Sequence, residues 1–80
     1  MNKFEQDILR LGPFCCLDLE LHKDSYQIKE LGELIDISNL QPGSMGQYEI
    51  DMARIVVTRT NDDSYLVNIT RKPESILGYY

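Results

Sequence analysis

The chain has 80 residues, one domain's worth: this size buries roughly 60–65% of its unfolded surface, enough for a single core without staples. An apolar share of 42% and a charged share of 26% argue against intrinsic disorder, and no apolar run approaches the ~20 residues that span a bilayer. The net charge of −5 works against nucleic acid, whose binding depends on neutralising phosphates.

The first seven residues include Glu5 and Asp7 and lack the apolar stretch of a signal peptide. A cytoplasmic chain that starts at its own initiator is expected. Residues 3–11 read as a short helix: Phe4, Ile8 and Leu11 fall on one stripe with Leu9 beside them, while Glu5, Gln6 and Arg10 take the other face. Asn2 is placed to cap it, and Gly12-Pro13 to end it.

Residues 14–22 carry the clearest strand signal. Cys15, Leu17, Leu19 and Leu21 alternate with Cys16, Asp18, Glu20 and His22, giving one apolar and one acidic face. A disulfide between the adjacent cysteines would be strained, because consecutive Cα atoms lie ~3.8 Å apart and disulfides span about 4.4–6.8 Å. The alternation instead predicts Cys15 in the core and Cys16 on the opposite face.

Residues 25–37 admit two readings. As a helix, Asp24 caps, Gln27 closes the box, and Ile28, Leu31, Leu34 and Ile35 form the stripe. As a strand, Tyr26 and Ile28 would pair back on 17–21, and the fold would become a small five-stranded barrel; the phase is lost at Leu31, which favours the helix. Residues 38–47 read as a loop around a type II turn at Pro42-Gly43, where mobility or partner contact would naturally reside.

Residues 48–60 read as a strand with a break. Tyr48, Ile50 and Met52 share one parity and Ile55 and Val57 the other, which a bulge near Ala53-Arg54, or two strands meeting at a corner, would explain. Residues 54–71 read as a hairpin turning at 61–64. Setting Val57 against Val67 and Ile55 against Ile69 puts all four on one face, centres the loop on Asp62 and sets Tyr65 across from Arg59. After Pro73, residues 74–77 suggest one more helical turn. The expected fold is α+β, a single domain over 1–80: a mostly antiparallel sheet of about four strands, with a C-terminal hairpin, packed on one or two short helices.

The sequence offers little chemistry. His22 and Cys16 sit six residues apart on one strand, about 20 Å at the usual rise, too far for a nucleophile–base pair. One histidine and one vicinal cysteine pair make no zinc pattern. Asp62-Asp63 is a turn signature before it is a cation site, and Gly43, Ser44 and Gly46 lack the strand-to-helix context of a phosphate loop. Asn68-Ile69-Thr70 matches a glycosylation acceptor but lies inside a strand. No enzyme activity, metal or cofactor is expected.

Charge is the remaining guide. Residues 1–51 hold ten acids against four bases, a balance of −6, and residues 52–80 hold four bases against three acids, a balance of +1. Asp18 and Glu20 share the polar face of one strand, Glu49 and Asp51 that of another; if those strands were neighbours, the four would form one acidic patch that steers a basic partner. The expected function is therefore a small non-enzymatic protein-binding module, monomeric or homodimeric. Its concrete form would be an acidic inhibitor that occupies a basic, nucleic-acid-binding surface of a larger protein, as compact phage and mobile-element proteins do against bacterial defence. The alternative is single-stranded nucleic-acid binding through the hairpin, with Arg54, Arg59, Arg71 and Lys72 interleaved with Tyr65 and Tyr79 as a stacking strip. A third reading is a structural, oligomerising subunit.

Overall fold

The computed structural model describes residues 2–12, 15–51 and 53–71. They form a small α+β fold with the element order α1 (Lys3–Leu9), β1 (Cys16–His22), α2 (Tyr26–Leu34), β2 (Met45–Ile50), β3 (Ala53–Arg59) and β4 (Ser64–Arg71). The four strands make one antiparallel sheet in the order β1-β4-β3-β2. The C-terminal turn expected at 74–77 lies outside the described residues.

Each helix starts at a side-chain cap. Asn2 accepts from the Glu5 N–H at 2.9 Å while the Glu5 carboxylate accepts from the Asn2 N–H, a full capping box. At α2 the cap is Ser25, whose Oγ accepts from the Ile28 N–H, and not Asp24 as the sequence suggested. Both residue types cap well, and Asp24 instead donates its N–H to His22 Nδ1 in the turn leaving β1. The two helices are fastened together near the N-terminus of α1. Asn2 Nδ2 donates to the Glu30 carbonyl and the Glu33 carboxylate, and the Lys3 N–H donates to Glu30 Oε1 at 2.9 Å.

The helices cover one face of the sheet. Phe4 and Ile8 of α1, Ile28 and Leu31 of α2, and Ala53, Ile55, Val57, Tyr65, Val67 and Ile69 of the central strands are buried together. The hairpin register is the one the apolar pattern selects: Val57 pairs with Val67, Ile55 with Ile69 and Arg59 with Tyr65. The Arg59 guanidinium lies 5.5 Å from the Tyr65 ring centroid.

Three expectations are corrected. The parity break near residue 53 is neither a bulge nor a corner but a reversal between two antiparallel strands: Ile50 of β2 pairs with Ala53 of β3, so the core-facing parity switches from even to odd. The loop expected at 38–47 is present over residues 38–44 with its type II turn at Pro42-Gly43, but it ends at β2, which already begins at Met45, and it is anchored rather than free. Ile35, Ile37 and Leu40 enter the core, the Ser44 N–H closes a turn on the Gln41 carbonyl at 2.9 Å, and Gly43 there takes φ +85°, the positive φ of a type II turn. Cys15 is exposed, like Cys16: it precedes β1, and Leu17 on the core-facing parity of that strand is likewise 37% exposed.

Among the described residues no helix is long and apolar enough to cross a membrane.

Candidate functional site

The sheet order decides what becomes of the acidic patch. β1 and β2 are the two edges of the sheet, with β4 and β3 between them. Asp18 and Glu20 therefore stand about 14 Å, three strand spacings, from the strand that carries Glu49. The four carboxylates do not form one patch, because the strands that carry them are not neighbours. Glu49 is also directly opposite Arg54 and receives its Nε and Nη2 at 3.2 and 3.1 Å, so its charge is locally compensated. Asp51 sits in the turn that follows β2.

Asp18 and Glu20 are different. Both are exposed on the outer face of β1, and none of the ion pairs formed among the described residues includes either. Asp18 is held in place by Asn68 of β4, whose amide donates to Asp18 Oδ1 at 2.7 Å and also approaches Cys16 Sγ at 3.2 Å. This explains why the acceptor-like triplet at 68–70 is occupied: the Asn68 side chain is engaged on the outer face of a central strand.

None of the described helices covers the outer face. Register fixes its rows: Glu20, Leu66, Thr58 and Met45 lie side by side, then Asp18, Asn68, Val56 and Gln47, then Cys16, Thr70, Arg54 and Glu49. Met45 is 68% exposed and Leu66 44%. A shallow depression of about 460 Å³ runs between Asp18, Val56, Thr58, Leu66 and Asn68. Val56, Leu66 and Met45 were missed as site residues, though the signal was present: in Val56-Val57 and Leu66-Val67 an apolar residue occupies each parity, so one of each pair must face away from the core.

The described members of the basic-aromatic strip do not come together. Arg54 faces outward and is paired with Glu49, whereas Arg59 and Arg71 lie on the helix-covered side at opposite ends of the hairpin. Arg59 donates to the carbonyls of Leu40, Asn61 and Asp62 at 2.8, 3.2 and 3.0 Å, which spends its fork on the chain's own backbone. Tyr65 is buried, its ring unavailable for stacking a base. Lys72 and Tyr79 lie outside the described residues.

Among the described residues two ionisable groups are shifted. Asp63, through a hydrogen bond and its charge 3.1 Å away, raises the Lys23 ammonium above its usual 10.5. The Ser38 hydroxyl, then its backbone N–H, lowers Asp36. Both clamp turns. No group of three potential metal ligands comes together among the described residues. Comparisons with protein-family models, with curated proteins and with solved structures found no match.

Proposed function

We propose that this chain is a non-enzymatic protein-binding module whose contact surface is the acidic edge of the sheet and the apolar face beside it that no described helix covers. One observation carries the reading: Asp18 and Glu20 stand exposed, without an ion-pair partner among the described residues, beside the exposed Leu66 of the neighbouring strand and the depression that Leu66 and the half-buried Val56 line. A carboxylate pair rimming an apolar surface suits a partner with basic residues around an apolar contact, since complementary charge speeds encounter and excludes wrong partners. An inhibitor that covers a basic, nucleic-acid-binding surface of a larger protein is the form of this function that the acidic balance favours.

The test is an affinity capture with the tagged protein at low and moderate salt, run beside two variants, Asp18→Lys/Glu20→Lys and Glu49→Lys/Asp51→Lys. A partner that elutes with salt, is lost from the first variant and is retained by the second supports the reading. Equal retention by both folded variants would sink it.

A further inference from the structure

We infer that the outer edge of β1 is a strand-addition site for an extended segment of a partner protein in which basic and apolar residues alternate. The inference rests on the protein-binding reading and names how the partner is held.

Three features of β1 converge on this. The first is its free backbone. Arg71 donates its N–H to the Cys15 carbonyl and Lys23 donates to the Asp63 carbonyl. In an antiparallel ladder bonded pairs alternate, so the odd residues of β1 spend their backbone groups on β4. The N–H and C=O groups of Cys16, Asp18 and Glu20 therefore point outward from the edge, unpaired among the described residues. β1 is regular over its seven residues, with no proline to blunt it.

The second is the charge beside those groups. Residues paired across a ladder share a face. A strand added along β1 would place every second side chain on the outer face against Asp18 and Glu20, where lysine or arginine meets an opposite charge. The third is the other face of the same edge. Leu17 and Leu19 line a mostly apolar groove of about 240 Å³ with Phe4, Ile8, Leu11 and Ile69, and Asp7 and Gln27 are its polar members. The intervening side chains of the added strand would turn toward this groove, where apolar residues fit. Alternation of the two kinds is thus read directly from the two faces of β1.

A second copy of the chain is a poor occupant. Two β1 edges meeting antiparallel would set carboxylate against carboxylate on the outer face, which is destabilising. The other edge offers no equivalent: Glu49 on β2 is already faced by Arg54, and Tyr48 and Ile50 pack against the core.

The probe is a capped synthetic heptapeptide, KVKLKVK, titrated into the intact isotope-labelled chain. Its controls are a scramble of the same composition, KKKVLVK, and the acidic analogue EVELEVE. Amide hydrogen exchange is read at Asp18 and Glu20. The expected result is that saturation with the alternating peptide slows exchange at these two amides at least tenfold, leaves the β2 amides unchanged, and requires at least tenfold less peptide than either control. Asp18→Lys/Glu20→Lys should weaken binding at least tenfold. Equal binding of the scramble, protection elsewhere on the sheet, or no binding at millimolar peptide would overturn the inference. So would slow exchange at Asp18 and Glu20 in the free chain, since residues 72–80 or a second copy would then already cover the edge. If affinity capture gives a partner that depends on Asp18 and Glu20 while the peptide is silent, strand addition fails and the acidic-surface reading stands.

Discussion

At the scale of single residues, Arg59 is the side chain that does most to hold separate parts of this chain together. Its fork reaches the carbonyl of Leu40, where the chain returns from α2, and those of Asn61 and Asp62 in the hairpin turn, while its plane lies over Tyr65. A lysine offers a point charge on a flexible stem and cannot meet three carbonyls in different directions. Arg59→Lys is therefore expected to lose nearly as much stability as Arg59→Ala, about 2 kcal/mol from the charge-assisted bonds, measured by urea unfolding; full rescue by lysine would show that charge alone matters. The Arg59–Tyr65 pairing was legible in the sequence, because Val57, Val67, Ile55 and Ile69 fit one face in only one register. The bond to the Leu40 carbonyl was not, since nothing in local pattern shows where the segment after α2 runs. Cys15 misled for a similar reason: alternation tells which side of a strand a residue faces, and only tertiary packing tells whether that side is covered.

At the scale of elements, α1 is seven residues long and too short to persist alone, so its cap and its docking must supply its stability. Asn2 does both, capping the helix and donating to α2 at the Glu30 carbonyl and the Glu33 carboxylate. Asn2→Ala should cost about 1–2 kcal/mol, the upper range for a lost cap, and should broaden or shift the resonances of Phe4 and Ile8; a change confined to residues 2–5 would show that docking does not depend on it. A second element-scale device closes the other end of the sheet. Lys23, just past β1, meets Asp63 in the β3–β4 turn through both backbone and ammonium. Because the folded state raises the Lys23 pKa, the contribution is fully present below the unfolded value and is lost as pH rises through the folded one. The melting-temperature advantage of the native chain over Lys23→Met should be constant from pH 7 to 9 and vanish above the raised pKa; an advantage that grows with pH would contradict the sign. Element existence was legible, helix and hairpin alike, from periods of 3.6 and 2. The β2–β3 reversal was not, because the sequence between Ile50 and Ala53 lacks the glycine that marks short hairpins.

At the scale of the whole molecule, the sheet order is the fact on which function turns, and it is the one the sequence could not supply. β2, β3 and β4 follow one another as a meander, but β1 joins at β4, about fifty residues away in the chain, and so the first acidic strand ends up at the opposite edge from the second. The choice follows from packing: α1 and α2 flank β1 in sequence and cover the β1–β4 side of the sheet, with residues 35–40 carrying Ile35, Ile37 and Leu40 into the core before β2 begins. This topology predicts a graded opening of the molecule. β3 and β4 have neighbours on both sides and contribute Ile55, Val57, Val67 and Ile69, all essentially inaccessible, so their amides should exchange only with global unfolding. β1 should show a period of two instead. Leu17, Leu19 and Leu21 donate inward to β4 and should be protected, while Asp18 and Glu20 should exchange orders of magnitude faster although they lie in the same strand. Loss of that alternation in the free chain, with Asp18 and Glu20 as slow as their neighbours, would mean that the β1 edge is already paired, and the surface proposed for a partner would be closed.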